Sequence, residues 1–403
     1  MSKIDEVIDK LPKDVQGIAK ELWNTLPAED RNSLISIFTS LPTDKGLIRR
    51  LFQLARTTTG KKHSVVILGP ANVGKSTLYN QLIHSNSDRA EVSPLPGTTR
   101  DSQAADAGIF TIIDTPGADA VGQVGAREKE LALSTAATSD IIILMFDAIQ
   151  GIKQTELDLF QIVRGIGKPF IIVINKMDLV KRHKNEVILH TASILQIAPE
   201  QIIPIVAKDP KTLTDLLLAI VTLEPQLTAA LGQALPDFRW SIAWRSIVNS
   251  ASLAAAIALT PLPILDFGPL VVTQSLMVLA IARIYNYKIN IVRARELIGT
   301  FGLGLLGRTL FAELSKFGGI PGWVLSAAIA SSVTVTMGYA AVVWFDKGEK
   351  LSADAFSRLS KVVSNYLLSS LRSIGKKKPT KKSLQDTVAE SLKDINLQDI
   401  PNE

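Results

Sequence analysis

Cysteine is absent from the 403-residue chain, which excludes disulfides and thiolate metal sites. A strong excess of charge of one sign is also missing, because the formal net charge is only +6. Such a mild basic excess fits an anionic membrane face or nucleic acid and requires neither. Histidines are few and show no metal-ligand spacing, so we assign them to the surface or to local packing: His63, His84, His183 and His190.

The start of the chain has no apolar signal sequence. Its first residues, MSKIDEVIDKLPKD, are charged throughout, and we therefore expect the protein to begin in the cytoplasm. Apolar positions such as Ile4, Val7, Ile8 and Leu11 recur at helical spacing. Residues 1–60 are thus predicted to form an N-terminal helical segment that packs on a neighbouring domain or binds a partner.

The next 160 residues alternate apolar runs with segments of helical periodicity. Continuous apolar runs of five to seven residues are typical of strands in a parallel sheet that is buried on both faces. The alternation predicts an α/β fold with a doubly wound, mostly parallel sheet. The predicted strands are 64–69, 109–114, 141–147, 170–175 and 202–206, and the predicted helices are 76–84, 124–137, 153–165, 185–197 and 211–222.

A glycine-rich loop follows the first of these strands. The run GPANVGKST extends from Gly69 to Thr77 and opens a helix, which is the setting that a P-loop requires. Backbone N–H groups of Asn72, Val73 and Gly74 would surround phosphates there, helped by the helix N-terminus. Lys75 would reach the β- and γ-phosphates, and the Ser76 hydroxyl would bind Mg²⁺. The loop predicts a site for a nucleoside triphosphate.

Two further motifs, each at the end of a predicted strand, specify the metal and the base. Asp114 begins Asp-Thr-Pro-Gly, so its carboxylate can hold Mg²⁺ through water and the Gly117 N–H can sense the γ-phosphate. Asn175-Lys176-Met177-Asp178 ends a later strand. The Asp178 carboxylate can accept hydrogen bonds from both N1–H and N2–H of guanine, and adenine offers no such donor pair. The three motifs together predict a guanine-nucleotide site.

GPANVGKS, PGTTRD (96–101), DTPG and NKMD together resemble the signature of Era-like P-loop GTPases, the TrmE-Era-EngA group. The resemblance covers residues 64–223 and implies a P-loop NTPase fold. It implies that Thr99, or else Thr98, is the switch threonine that meets Mg²⁺ and the γ-phosphate. It also implies a base-supporting loop at Ala207-Lys208, where Val206 replaces the usual serine, so that only the Ala207 backbone contact carries over. Dimerisation through two G domains is expected on the same ground.

The chemistry of hydrolysis is less well specified. The position after Gly117, where Ras-like enzymes carry a glutamine that orients water, is Ala118. Hydrolysis then needs another device or is slow alone. The resemblance implies one device, a K⁺ ion bound by Asn72 beside the phosphates; the alternative is that Asn72 stabilises the loop turn. Arg100 and Arg127 are interpreted as surface or ion-pair residues, and Asp147 as a structural residue.

The apolar excess of the chain, whose mean hydropathy is +0.22, lies after about residue 240. Uncharged stretches cover 246–265, 267–282 and 317–345, and lengths near 20 residues suit membrane spans. The first two are predicted to form a helical hairpin, and the third a span with Trp323 and Trp344 near opposite interfaces. Alternatives are a shallow location on the membrane and a soluble helical bundle. The PLPILD stretch (261–266) and the apolar helix after it also resemble an uncharacterised apolar helical domain that accompanies Era-like GTPases in bacteria, including cyanobacteria.

The predicted organisation is an N-terminal helical segment (1–60), a GTPase domain (61–225), an all-α apolar, membrane-associated domain (235–347) and a polar, partly basic tail (348–403). In that tail, 375–382 is predicted to be a flexible basic linker and 383–395 a short helix. We expect a membrane-associated GTPase that binds GTP and Mg²⁺ on the cytoplasmic face of a membrane. The rivals are an RNA- or ribosome-assembly GTPase and a regulatory module with slow turnover.

Overall fold

The computed structural model describes residues 64–82, 110–114, 133–259, 268–287, 321–349, 351–374 and 378–393, with single positions elsewhere. Two compact units are present. Lys61–Phe238 form one, here called the G unit, and Met1–Gly60 with Arg239–Glu403 form the other, here called the helical unit. The four predicted segments do not coincide with this division, and their boundaries stay predictions.

A five-stranded parallel sheet forms the centre of the G unit. Its strands are β1 (Val65–Gly69), β2 (Phe110–Asp114), β3 (Ile141–Asp147), β4 (Phe170–Asn175) and β5 (Ile202–Pro204). They lie in the order β2-β1-β3-β4-β5, and all the pairings are parallel. Every residue of β1 and β3 is buried, as expected for strands covered on both faces. The predicted α/β fold is confirmed.

Helices alternate with the strands as predicted. They are α1 (Lys75–Leu82), α2 (Gln154–Ile166), α3 (Lys184–Leu195), α4 (Thr214–Leu223) and α5 (Leu227–Ala234). The start of α2 is stabilised by a hydrogen bond from the Lys153 N–H to the Glu156 carboxylate, 3.1 Å long, and its end by Gly167, whose φ of 74° suits glycine. Of the predicted helix 124–137, residues 133–137 are described and helical.

The parallel register brings the carboxyl ends of the strands together at one edge of the sheet. Gly69 pairs with Asp114, and Asp147 pairs with Asn175. The loops that carry the sequence motifs therefore begin at neighbouring points, which is where open α/β sheets bind their ligands.

The helical unit contains five described helices of eight or more residues. They are α6 (Arg239–Ala258), α7 (Gly268–Ile284), α8 (Gly322–Lys347), α9 (Ala353–Arg372) and α10 (Lys381–Lys393). Helix α8 packs against α6, α7 and α9, and α10 packs against α6. Of residues 1–60, only isolated positions are described; Ile8, Ala19 and Leu51 are helical and buried there.

Helices α6 and α8 approach each other closely at Gly338. A Cβ built on this glycine would lie 2.5 Å from Cγ1 of Ile247, so only glycine fits without a shift. Seven residues earlier, the Ser331 hydroxyl donates a 3.0 Å hydrogen bond to the Ala251 carbonyl. Small residues thus let the two backbones meet, a mode of packing shared by helices in membranes and in tight soluble bundles.

Aromatic side chains from three helices meet in one part of the bundle. Trp240 stacks on Trp244 at 5.7 Å and meets Tyr339 edge-on at 5.9 Å. The Arg239 guanidinium lies 5.9 Å from the centre of the Tyr285 ring. Burial raises the pKa of the Tyr285 hydroxyl, and the charge of Asp346 raises it further. This cluster joins the start of α6 to the residue after α7 and to the C-terminal half of α8.

Among the described residues, α8 is the single helix long and apolar enough to cross a membrane. In its most apolar 18-residue stretch, 94% of the residues are buried inside the protein. The predicted span 317–345 therefore corresponds to a real helix, with Trp323 and Trp344 about 32 Å apart along its axis. The predicted hairpin corresponds to α6 and α7, and its turn, 260–267, lies outside the described residues.

The basic run in the tail is more ordered than predicted. Lys381 and Lys382 open α10, and the Lys378 ammonium donates a 2.7 Å hydrogen bond to the Leu259 carbonyl. A lysine near a helix C-terminus favourably meets the exposed carbonyls of that end. The prediction of a flexible linker is wrong for these three residues, and the predicted terminal helix is present as α10.

Candidate nucleotide-binding site

The loop between β1 and α1 has the conformation that its glycines predict. A Cβ on Gly69 would lie 2.3 Å from the Met145 carbonyl oxygen on the neighbouring strand. At the other end of the loop, Asn72 has φ of 62° and Gly74 has φ of 99°. A Cβ on Gly74 would lie 2.3 Å from the Asn175 side-chain amide. Close approach and left-handed backbone both explain why glycine occupies these positions.

Lys75 is the first residue of α1, and its side chain folds back over the loop. The ammonium donates to the carbonyls of Gly69 at 2.7 Å and Pro70 at 2.6 Å, although the residue is only 3% exposed. Ser76 and Thr77 follow in the first turn and are partly buried. A fixed cation and the positive end of a helix thus meet at the mouth of the loop, an arrangement that attracts anions.

Asn175, the last residue of β4, joins two loops through one buried side chain. Its amide N–H donates to the Val73 carbonyl at 2.8 Å, and its amide oxygen accepts from the Ala207 N–H at 2.8 Å. The partners are 102 and 32 residues away along the chain. The glycine-rich loop and the loop after β5 are therefore held at fixed positions relative to β4.

Lys176, in the next position, adds a second connection to the same loop. Its ammonium donates to the Asn72 carbonyl at 2.8 Å and forms an ion pair with the Asp147 carboxylate at 2.5 Å. Its backbone is left-handed, with φ of 65°, which turns the chain back across the end of the sheet. Asp147 also accepts a 2.8 Å hydrogen bond from the Ile149 N–H.

Asp147 is the participant in this network that the sequence did not reveal. We predicted a structural role without a partner, and the structure gives the partner. Only the positions of the residues could have indicated this ion pair. Asp147 is the last residue of β3 and pairs with Asn175 of β4, and Lys176 follows Asn175. The carboxylate side chain is 3% exposed and the lysine 31%, so the pair is largely removed from water.

Asp178 and Lys208 are exposed at the same edge of the sheet. No hydrogen bond or ion pair of the Asp178 carboxylate is recorded in the described part of the chain. Ala207 is buried and its N–H is engaged with Asn175. The predicted contact of that N–H with the base would therefore have to share or replace the Asn175 hydrogen bond.

The remaining predicted site residues fall where less is described. Asp114 ends β2 beside Gly69, and its side chain lies outside the described atoms. Thr98, Thr99, Arg100, Gly117, Ala118 and Arg127 also lie outside the described residues. The predicted roles of these residues stay predictions.

A parallel sheet, a lysine held over a strand–loop–helix turn and an Asn-Lys-x-Asp segment bound to that turn define a P-loop GTPase domain. Family comparison agrees. Residues 64–176 match the family described as 50S ribosome-binding GTPase, and residues 243–372 match a domain of unknown function (DUF697). The chain thus contains a domain that matches the P-loop GTPase family and a separate C-terminal helical domain, as its motifs predicted. The expectation of a GTPase is thus confirmed at the level of the domain family.

Curated relatives resemble the chain over part of their length. The tRNA modification GTPase MnmE of Trichormus variabilis is 30% identical over 275 residues, covering 60% of this chain and 52% of that protein. GTPase Der of Pseudothermotoga lettingae is 28% identical over 192 residues, covering 45% and 42%. The chain thus spans about half the length of these relatives.

Solved structures resemble the G unit more distantly. A crystal structure of Aquifex aeolicus Era bound to GDP.AlF4- is 24% identical, covers 47% of this chain and 67% of that one, and gives a TM-score of 0.35. A score of this size supports no functional argument.

Proposed function

We propose that the protein is a membrane-associated molecular switch that binds and hydrolyses GTP with Mg²⁺. The observation that carries the nucleotide part is the Lys75 ammonium, held by two carbonyls at the mouth of the loop. These carbonyls hold the ammonium over the glycine-rich loop at the N-terminus of α1, where the cation and the positive end of the helix both attract an anionic ligand. Phosphate oxygens of a nucleotide fit that position.

Each remaining predicted residue has a role in this proposal. Backbone N–H groups of the loop and of Ser76 and Thr77 surround the α- and β-phosphates. The Asp178 carboxylate accepts hydrogen bonds from the guanine N–H groups, and the loop of Ala207 and Lys208 lies over the guanine ring. The exposed position of the Asp178 carboxylate supports this role, because the hydrogen bonds that hold the Asn175 and Lys176 side chains do not involve it.

Magnesium fits the same edge of the sheet. Bound Mg²⁺ would neutralise charge on the phosphates, and the Ser76 hydroxyl, Thr99 and Asp114 would hold it directly or through water. The support is positional, because β2 ends beside Gly69 in the sheet register. Hard oxygen donors of this kind are the ligands that Mg²⁺ prefers. Gly117 and Thr99 would contact the γ-phosphate when GTP is bound and lose that contact on hydrolysis, so they would act as the switch elements.

Because Ala118 offers no glutamine for hydrolysis, a K⁺ ion bound by Asn72 is assigned the role of supplying positive charge beside the phosphates. The Asn72 side chain is exposed, while its carbonyl is held by Lys176, so its amide oxygen can bind K⁺ beside the phosphates. Comparison of GTPase rates in K⁺ and in Na⁺ tests this assignment. We expect faster turnover in K⁺ and loss of the difference in Asn72→Ala; equal rates in the intact protein contradict it.

The membrane part of the proposal places the G unit on the cytoplasmic face. Its support is the apolar composition of the helical unit, which includes one helix of spanning length, together with the mild basic excess of the chain. Flotation of the full chain with lipid vesicles, in GDP and in a non-hydrolysable GTP analogue, tests it. We expect vesicle binding that differs between the two nucleotides, and a chain that remains wholly unbound in both contradicts membrane association.

A role on RNA is the second candidate, because the matched family is described as ribosome-binding and one relative as a tRNA modification GTPase. Phosphate contacts would make RNA binding fall steeply with salt. A pull-down with a salt titration separates this candidate from vesicle binding. Dimerisation of G units in the GTP state is expected for both candidates and is measured by light scattering.

A further inference from the structure

The helix with the length to cross a membrane lies inside the described bundle. Helices α6, α7 and α9 pack around α8, and nearly all of its residues from Val324 to Val343 are buried. A membrane can therefore contact only an outer face of the bundle. The charge and the exposed apolar side chains of that face decide whether it binds lipid.

Helix α9 has two contrasting faces along its 20 residues. Its inner face is apolar and carries two hydroxyls that bond to α8, with Ser364 to Ser332 at 2.6 Å and Ser360 to Thr336 at 3.1 Å. These contacts close the interface and satisfy polar groups that would otherwise be buried alone. Helix α9 is thus built to stay on the bundle.

The outer face of α9 combines cations with exposed apolar side chains. Val362 is 52% exposed and Tyr366 is 39% exposed, and one helical turn separates them. In the described part of the helical unit, Tyr287 is the only other large hydrophobic side chain with comparable exposure. Arg358, Lys361 and Arg372 are exposed on the same helix.

The charge of α9 matches an anionic partner. The helix contains three cations, Arg358, Lys361 and Arg372, against one carboxylate, Asp354. That carboxylate lies in the first turn, where it favourably meets the helix dipole. The remaining length of the helix is therefore basic, with Val362 and Tyr366 between the cations. Basic side chains around a few apolar ones are typical of surfaces that rest on anionic lipid headgroups.

We propose that this outer face, defined by Arg358, Lys361, Val362, Tyr366 and Arg372, docks the intact bundle onto an anionic lipid surface. Val362 and Tyr366 enter the headgroup layer, and the cations lie near the lipid phosphates. This inference rests on the proposed membrane association and names its surface. In this arrangement α8 stays covered by protein, so the described bundle lies on the membrane and does not span it.

The experiment uses the full chain and phosphatidylcholine vesicles with and without phosphatidylserine. Val362→Glu/Tyr366→Glu should reduce binding to the anionic vesicles about tenfold or more. Leu189→Glu/Leu223→Glu is the matched control, because it adds the same two charges at leucines that are 57% and 45% exposed in the G unit. We expect the control to bind like the original chain, and circular dichroism should show both variants folded.

The outcomes separate this inference from the proposed function. An original chain that fails to bind either kind of vesicle overturns membrane association and the docking face together. An original chain that binds, with a double variant that binds equally well, overturns the docking face alone. Val362- and Tyr366-dependent retention of RNA, without vesicle binding, would also overturn it.

A covalent lock distinguishes docking of the intact bundle from opening of the bundle. Because the chain has no cysteine, Ser332→Cys/Ser364→Cys introduces a single pair at a site where the two hydroxyl oxygens are 2.6 Å apart. Oxidation would fasten α9 to α8. Docking predicts equal vesicle binding in the oxidised and reduced protein, and loss of binding on oxidation would overturn it.

Discussion

The two units of the molecule use buried polar groups in different ways. In the G unit, single side chains connect distant parts of the chain, as Asn175 and Lys176 do over more than 100 residues. In the helical unit, most buried hydroxyls bond to carbonyls one turn back in their own helix: Ser250, Ser252, Thr273, Ser275, Thr334 and Thr336. The G unit is thus held together by hydrogen bonds and an ion pair between distant segments, and the helical unit mainly by close packing of its helices.

This difference has a functional meaning. A site for a small ligand requires loops held within a fraction of an ångström, which directional contacts between loops supply. A bundle that satisfies most of its buried hydroxyls inside each helix leaves its interfaces mainly to packing, where close fit at points such as Gly338 matters most. We therefore expect substitutions in the two units to affect different measured properties.

The largest effect on GTP affinity is expected for Gly74→Ala. Its φ of 99° strains any other residue, and the new Cβ would meet the Asn175 amide at 2.3 Å. Strain of up to about 3 kcal/mol in the bound loop corresponds to about 100-fold weaker GTP binding, measured by calorimetry. Gly151→Ala is the control, because Gly151 has φ of 66° and no atom within 4 Å. Equal affinities in the two variants would contradict the assigned close contact.

Asn175→Ala should follow in magnitude. It leaves the Val73 carbonyl and the Ala207 N–H without their partner, and each unpaired buried group costs about 1–3 kcal/mol. Denaturant unfolding of the G unit should show a loss of about 2–4 kcal/mol, with weaker GTP binding. Asn249→Ala, at an exposed position of α6, should change neither property. Unaltered stability in Asn175→Ala would show that the two hydrogen bonds do not hold the loops.

Asp147→Asn should cost less, about 2 kcal/mol in the free energy of unfolding. Loss of one member of a buried pair is expensive, but the lysine is 31% exposed and can regain water. The amide oxygen can still accept the Ile149 N–H. We expect GTP affinity to fall, because Lys176 then holds Asn72 less firmly. A variant with original stability and affinity would remove Asp147 from the site.

Gly338→Ala should produce the smallest change, confined to the helical unit. The added methyl group meets Ile247 at 2.5 Å, and overpacking of this size costs about 1–2 kcal/mol. The double variant Gly338→Ala/Ile247→Ala should be less destabilised than the sum of the two single variants, because each change relieves the misfit of the other; thermal unfolding of all three measures this. GTP affinity should be unchanged in all three; an altered affinity would show that the two units are coupled.

Much of the G unit could be predicted from the sequence because each local signal agrees with the global fold. Buried strands, the glycine-rich loop and the strand-end motifs fix the order of elements and the edge where the site lies. The ion pair of Asp147 was missed, because a strand pairing of this kind depends on sheet order, which no local pattern records.

The helical unit was harder to predict for a related reason. Composition identifies apolar helices, and it does not reveal what covers them. The sequence thus predicted α8 correctly as a long apolar helix, while the packing of α9 over it and of α10 on α6 depends on contacts between distant segments. Lys381 and Lys382 illustrate the point, because basic residues that are typical of a linker here begin a packed helix.

Calorimetry with GTP and ATP in the presence of Mg²⁺ tests the central claim most directly. We expect GTP to bind at least about 100-fold more tightly than ATP, since a site built around paired hydrogen bonds strongly rejects a base that lacks the donors. Asp178→Ala should remove this preference without unfolding the protein, because the carboxylate is exposed. Equal affinity of the unaltered chain for the two nucleotides would contradict a guanine site.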